Sequence, residues 1–317
     1  MNPRTPAAAP EGGLPTATAQ GNSSGAAGDW LLRWVGHQRW IRYGLRERLL
    51  RACRHPERCS AVTFEVAFAG YAYPGRMDRW IDWIVYFYGA YEQDELELVR
   101  SLLSGRPAVA LDIGANVGHH SLYLASFCAQ VHAFEPYEAV ACAIEDKIRR
   151  NALRHLLVHR VGLSDREQLL DFYAPQGVNT GTGSFVSDHE AANNRLIGRL
   201  RVVNADEYLA SLGLRCVDFV KIDVEGFELN VLRGLRGTLA RYRPLVMLEL
   251  SDEARLSLPS LADFMALFPP GYRAEIVHSR QARWVLLGRA GCRLEPLQWH
   301  HEPLPGGYIN LLLRPHA

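Results

Sequence analysis

The stretch LDIGANVGHH, Leu111–His120, decides the fold. The residues leading into it, Val109-Ala110-Leu111, are apolar and unbroken, which reads as a strand buried on both faces. Asp112 ends that run, and Gly114 and Gly118 bracket a tight turn into a helix. Strand, glycine-rich turn and helix form the first half of a nucleotide-binding βαβ unit. A dinucleotide fingerprint, GxGxxG, spaces its glycines so that pyrophosphate reaches a helix N-terminus. Here the residues are Gly114-Ala115-Asn116-Val117-Gly118, and the middle glycine is missing.

A fixed carboxylate at Asp112 repels pyrophosphate and suits a cofactor with a cationic amino acid end. S-adenosylmethionine carries an ammonium, a sulfonium and no phosphate, so it fits this loop better than NAD. Glu135 follows VHAF at the end of the second strand, 23 residues beyond Asp112, the length of a strand–helix–strand repeat. A carboxylate there accepts both ribose hydroxyl protons, and it would serve NAD equally. Pro136 terminates that strand. The third strand ends in RVGLSD, which puts Asp165 where an adenine edge is met by a carboxylate or by backbone near Gly162 and Leu163. A capping Asp in a turn is the alternative.

Working outward, apolar strands are readable at Ala108–Ile113, Val131–Phe134, Leu156–Val161, Phe219–Ile222 and Leu245–Leu250. Helical patterns lie between them: Val140, Ile144 and Ile148 on one helix, Val231, Leu235 and Leu239 on another. The alternation implies an α/β fold, a mostly parallel sheet with helices on both faces. Ala274–Val277, Trp284–Leu287 and Tyr308–Leu313, with Gly and Pro turns between, predict an antiparallel edge. The Gly- and Asn-rich segment 167–194 predicts a long loop or a hairpin between the third and fourth parallel strands.

Upstream, residues 107–317 are preceded by a cap over 29–106 and a tail over 1–28. The tail is rich in Ala, Gly, Pro, Ser and Thr, lacks a signal-peptide core, and is expected to be disordered. Trp30–Arg54 reads as helical and holds seven arginines. Such a segment can lie on an anionic membrane or partner; the plainer reading is a helical cap with a solvated basic face. VTFEVAFAGYAYPG predicts a hairpin, and the next stretch two helical parts meeting near Gly89.

The fourth strand carries the sharpest signal, VDFVKIDVEGFELNVLRGL, Val217–Leu235. Lys221, Asp223 and Glu225 alternate with Ile222 and Val224, so they share a side while the strand persists. Charges enter the end of a buried parallel strand only with partners, and ligands of open α/β sheets bind at the strands' carboxyl ends. The three are candidates to touch cofactor or substrate; a structural Lys–carboxylate network is the alternative. Glu249 ends the fifth strand and can join them, and a divalent metal could sit between Asp223, Glu225 and Glu249, although the spacing does not compel one. His119 and His120 begin the helix after the glycine loop and are read as capping or surface residues. His300-His301 has no third ligand at metal spacing.

Bulk properties narrow the class. The 317 residues are 48% hydrophobic, enough for a full core, and a net charge of +1 gives no reason to expect nucleic acid. Six scattered cysteines form no CxxC pair and read as reduced thiols of a cytoplasmic protein. No apolar run approaches the roughly 20 residues of a membrane span.

Taken in order, LDIGANVGHHSLYLA, AFEPY, VGLSD, NTGTGSF and DFVKIDVEGFELNVLRGL…RPLVMLEL resemble the FkbM family of methyltransferases, over roughly residues 60–315. YFYGAYEQDEL resembles that family's entry segment. The resemblance implies a class I methyltransferase fold, S-adenosylmethionine as cofactor, and O-methylation of a sugar or natural-product hydroxyl. It carries Asp112, Gly114, Asn116, Gly118 and Glu135 over as cofactor contacts; Ala115 in the loop and Pro136 and Asp165 at the strand ends are cofactor-binding candidates by position, not by the resemblance. It carries Lys221, Asp223 and Glu225 over as active-site lining; since a hydroxyl acceptor loses a proton, Asp223 or Glu225 is the candidate base, with Lys221 orienting a carboxylate or the acceptor. An NAD(P)-dependent oxidoreductase and a non-catalytic binding module are the rival readings.

Overall fold

The structure, a computed structural model, describes residues 26–59, 62–175, 183–185, 194–280, 291–304 and 306–316. The tail expected to be disordered lies outside them, except that its last three residues open the first helix, α1 (Ala26–His37). After a turn comes α2 (Tyr43–Cys53), so Trp30–Arg54 is two helices rather than one. A single helix of that length would run about 37 Å; folding back lets both helices pack on the next one, α3 (Trp80–Tyr88). Gly36 makes the contact possible, since a Cβ there would lie 2.1 Å from the Phe87 carbonyl oxygen. Arg54 Nε donates to buried Asp29 at 2.9 Å and ties the far ends together.

Strands β1 (Thr63–Phe68) and β2 (Tyr71–Arg76) form the expected hairpin. Its turn is Ala69-Gly70, at φ 51° and 86°, the pair of left-handed residues a tight hairpin requires. Pro74-Gly75, which punctuates the sequence, sits inside β2 instead, opposite Glu65 and Phe64. Buried Asp82 pins the hairpin to α3, accepting from Tyr73 Oη at 2.7 Å and from the Arg76 amide at 2.9 Å. Gly89 ends α3 at φ 89°, and α4 (Gln93–Leu103) follows.

Next come β3 (Val109–Ile113), α5 (His119–Ala125), β4 (Gln130–Phe134), α6 (Glu138–Arg150) and β5 (Leu156–His159). The insertion is a hairpin: β6 (Gly162–Ser164), β7 (Gln168–Pro175) and β8 (Asn194–Asn204) make a small sheet of their own in the order β6-β8-β7. The chain continues as α7 (Ala205–Ser211), β9 (Phe219–Ile222), α8 (Glu228–Gly234), α9 (Arg236–Tyr242), β10 (Leu245–Ser251), α10 (Asp252–Leu256), α11 (Leu261–Met265), β11 (Tyr272–Arg280), β12 (Gly291–Pro296) and β13 (Tyr308–Pro315). The Val231/Leu235/Leu239 pattern falls on two short helices that meet at Leu235. The strand expected at Trp284–Leu287 lies outside the described residues.

The large sheet runs β12-β11-β13-β10-β9-β3-β4-β5. Its β10-β9-β3-β4-β5 part is parallel, and β13, β11 and β12 add antiparallel pairs at the β10 edge. This is the class I methyltransferase arrangement. Alternation along the strands builds two cores: Leu111, Val220, Ile222 and Leu248 face α8 and α9, while Ala110, Ala133, Phe219 and Met247 face α4, α5 and α6. Strand order reverses between β3 and β9, and the crevice at that switch point is where such sheets hold ligands. No helix among the described residues is long and apolar enough to cross a membrane.

Candidate active site

The loop after β3 is held from both sides. Gly114 and Ala115 donate their amides to the Phe134 carbonyl at 3.0 Å each, which ties the loop to the end of β4. Gly114 has φ 81°, and a Cβ on it would meet the Asp223 carbonyl oxygen at 1.7 Å, so only glycine allows the loop to close on β9. Asn116 turns left-handed at φ 52° and points its amide at Glu135 Oε2, 2.9 Å away. Gly118, at φ 78°, opens α5. Asp112 is fully buried; Ser121 Oγ donates to its Oδ2 at 2.5 Å, while Oδ1 has no partner. An orphaned carboxylate oxygen in this position fits a cofactor's ammonium.

Glu135 is 7% exposed and accepts two backbone amides, Asn116 and Tyr137, each at 2.9 Å. Burial pushes its carboxyl up to about 7, against the pull of those amides. A cavity of about 50 Å³ adjoins it, lined by Gly114, Pro136, Leu163 and the rings of Phe134, Phe172, Phe185 and Phe227. An apolar slot beside a buried carboxylate has the chemistry to take a nucleoside. Asp165 is not part of that lining; its carbonyl accepts from Asn204 Nδ2 at 2.8 Å, and its side chain accepts from Ser164 Oγ at 3.2 Å.

Across the switch point, Lys221 pairs in register with Asp112. Its Nζ donates to Asp223 Oδ2 at 2.7 Å. Burial opposes the ammonium, but Asp223, Asp112 and Glu92 outweigh it and hold Lys221 above the ordinary lysine value. β9 ends at Ile222, so Glu225 reaches the cluster through a turn at φ 50° rather than by strand alternation. Asp223, Glu225 and Glu249 bring carboxylate oxygens within 4.8 Å of one another and could hold a cation. Burial, with Asp223, Glu92 and Glu225 nearby, pushes Glu249 up to about 10.

A second cavity, about 480 Å³, opens beside this cluster. Tyr91, Glu92 and Glu95 line one wall, and Tyr308 and Asn310 on β13 line another. Asn310 stands opposite Glu249 across the β10–β13 ladder and donates to Glu95 Oε1 at 2.8 Å. Burial and Glu92 push Glu95 up to about 8. His120 Nε2 lies 3.2 Å from Glu92 Oε2, close enough for an ion pair though not aligned as a hydrogen bond. His119 is buried between Phe68 and Tyr91 and accepts the Tyr91 amide at 3.2 Å. Burial keeps it well below the usual imidazole value, a neutral acceptor that anchors the entry segment.

The pattern of the methyltransferase FkbM domain matches residues 112–271, half of the chain, from the first-strand carboxylate to the turn before β11. The chain belongs to the FkbM methyltransferase family.

Among proteins it is similar to, AMB antimetabolite synthetase AmbE of Pseudomonas aeruginosa is 30% identical over half of this chain, which spans only 9% of AmbE. 2-O-methyltransferase NoeI of Sinorhizobium fredii is 27% identical over 56% of this chain and 81% of its own length. Hexuronic acid methyltransferase AglP of Haloferax volcanii is 28% identical over 46% and 58%. A solved FkbM methyltransferase from Methylobacillus flagellatus is 16% identical with a TM-score of 0.44, covering 72% of this chain and 52% of that one.

Within this FkbM protein, sequence reasoning found the loop, Glu135 and the fourth-strand charges, and the fold brings them to one crevice. The entry segment YFYGAYEQDEL supplies Tyr91, Glu92 and Glu95 to a second wall, while Tyr308 and Asn310 opposite them were missed. Glu95 leaves a trace, because it sits on the inner face of α4 with Leu96, Val99 and Leu103, where an acid is out of place. Also missed was Glu228, buried beneath the turn, which accepts from the Gly226 amide at 2.7 Å and from Ser251 Oγ at 2.8 Å.

Proposed function

We propose that this FkbM protein methylates a hydroxyl of a sugar or sugar-like small molecule, with S-adenosylmethionine as donor. The observation that carries the reading is the orphaned, buried Oδ1 of Asp112 at the switch point, between the Glu135 slot and the Lys221–Asp223 pair. When bound, the cofactor supplies an electrophilic methyl group on a sulfonium. Asp112 would hold its amino end, Glu135 its ribose, and the phenylalanine-lined slot its adenine. The larger cavity would take the acceptor, with Tyr91, Tyr308 and Asn310 offering hydrogen bonds to hydroxyls.

Positioning is the main task, worth roughly 7–11 kcal/mol when acceptor and methyl are held in line. A hydroxyl acceptor must also lose its proton, and Asp223 or Glu225 accepts it, with Lys221 fixing Asp223. Glu249, protonated at neutral pH, donates rather than accepts and helps hold the acceptor oxygen. The name of AglP, a hexuronic acid methyltransferase, supports a sugar acceptor, and that of NoeI, a 2-O-methyltransferase, supports transfer to oxygen.

The test is transfer of labelled methyl to a panel of hydroxylated sugars. Asp223→Asn or Glu225→Gln is expected to lose roughly 10²–10⁴ in turnover while binding S-adenosylhomocysteine normally. If both variants instead unfold early, by about 3–5 kcal/mol, and turn over normally when folded, the cluster is structural. No transfer to any sugar, with clear NADH binding, would return the fold to an oxidoreductase.

A further inference from the structure

Helices α1 and α2 carry large apolar side chains that no described residue covers. Trp30, Trp34 and Trp40 are 65%, 54% and 51% exposed, and Leu31, Leu45 and Leu49 are exposed as well. Trp30 and Trp34 lie one turn apart on α1, as Leu45 and Leu49 do on α2, so each helix turns an apolar stripe outward. The opposite sides are already used: Gly36 abuts the Phe87 carbonyl, and Leu50 is fully buried. Side chains of this size gathered in water mark an interaction surface.

The charge on the same helices says what kind. Residues 26–54 hold seven arginines against two carboxylates, Asp29 and Glu47. Arg39 is taken up by Asp94 and Glu97, Arg54 by Asp29, and Arg33 and Arg46 lie over tyrosine rings. Arg51 pairs with Glu47, and Arg48 is exposed beside the Leu45 and Leu49 stripe. A second copy of this chain would oppose basic to basic, and a nucleic acid would leave the leucines wet. Tryptophan and leucine flanked by arginine is the composition of a helix lying in a headgroup region.

We propose that the outward face of α1 and α2 docks on an anionic lipid surface, the tryptophans and leucines entering the headgroup layer and Arg48, in a segment of net positive charge, meeting lipid phosphates. This is a role beyond the solvated cap read from the sequence, and it does not depend on the methyl acceptor.

The full chain is sedimented with vesicles of phosphatidylcholine alone or with 30 mol% phosphatidylglycerol, at low and high salt. Pelleting with the anionic vesicles is expected, weakened by salt, with a blue shift of tryptophan fluorescence. Trp30→Ala/Trp34→Ala and the charge reversal Arg48→Glu should each weaken it about 10- to 30-fold, with S-adenosylhomocysteine affinity unchanged as the control for folding. No pelleting at low salt, or equal and salt-independent pelleting with neutral vesicles, overturns the proposal. So does a dimer in solution that Trp34→Ala abolishes, which gives the face to a second copy. Binding that arises only when residues 1–25 are removed gives it to that segment and overturns the proposal too.

Discussion

Glu135→Gln distinguishes a ribose-binding carboxylate from an acid that is merely buried. In the free protein its carboxyl is pushed up to about 7 by burial. About one tenth is therefore ionised at pH 6 and about nine tenths at pH 8. If ribose hydroxyls donate to the carboxylate, binding selects the ionised form and apparent affinity follows that fraction. Affinity for S-adenosylhomocysteine should then rise roughly tenfold from pH 6 to 8, about 1.4 kcal/mol. The effect on folding has the opposite sign. Because the folded value lies above the ordinary 4.5, stability from this group is full below that value and lost as pH rises through about 7.

Glutamine keeps the shape but sets an NH₂ against one of the two backbone donors, at Asn116 or Tyr137. That conflict is present with or without ligand, so it should appear in thermal unfolding, at about 1–3 kcal/mol. Loss of the charge-assisted ribose bonds should appear in binding, at about 1.5–3 kcal/mol or roughly 10- to 150-fold in Kd. The variant's affinity should also be flat with pH. Calorimetry from pH 5.5 to 8.5 measures both proteins. Constant affinity in the unmutated protein between pH 6 and 8, or a variant within threefold of it, would refute the ribose role.

Gly114→Ala should abolish cofactor binding and lower the melting temperature, because its Cβ would collide with the Asp223 carbonyl, whereas Gly70→Ala, at φ 86° with open space around it, should cost only about 1 kcal/mol; equal effects would undo the close-approach argument. A chelator should leave turnover unchanged, since Lys221 balances Asp223 and Glu249 stays protonated; activity lost and then restored by magnesium would place a metal among Asp223, Glu225 and Glu249. Burial and His132 push His159 down to about 4, so its stability contribution is full above 6.5 and lost as pH falls toward 4. The melting temperature should fall over that window, less so in His159→Gln, and an unchanged value would contradict it.

The parallel strands were legible because burial on both faces demands near-continuous apolar runs, and a charge or proline marks each end: Asp112 on β3, Glu135-Pro136 after β4, Asp223 after β9. The break between α1 and α2 was not, because both halves have helical patterns and only the packing of each on α3 requires the turn. The position of the hairpin's turn was not legible for a related reason. Pro-Gly is the stronger signal in sequence, yet Ala69-Gly70 has the two left-handed residues that the strand twist requires.

The loop side of the crevice was legible for a different reason than the second wall was hidden. Asp112, Glu135, Lys221 and Asp223 are charges at strand ends, where desolvation makes them conspicuous. Asn310 is an ordinary residue in its own segment, and Glu95, though out of place on the inner face of α4, gives no sign of its partner; the two meet because β13 inserts antiparallel beside β10. Insertion of that strand also brings Asn310 opposite Glu249, so one topological feature shapes the second wall and buries the acid that faces it. Lys221 explains why so many carboxylates can gather there. On β9 it stands in register with Asp112 and bonds Asp223, setting an ammonium between two acids that would otherwise face each other across adjacent strands in a medium of low dielectric. The lysine is therefore as much a condition of the cofactor loop as the glycines are: without it, the Asp112 oxygen left free for a ligand's ammonium would face an uncompensated Asp223.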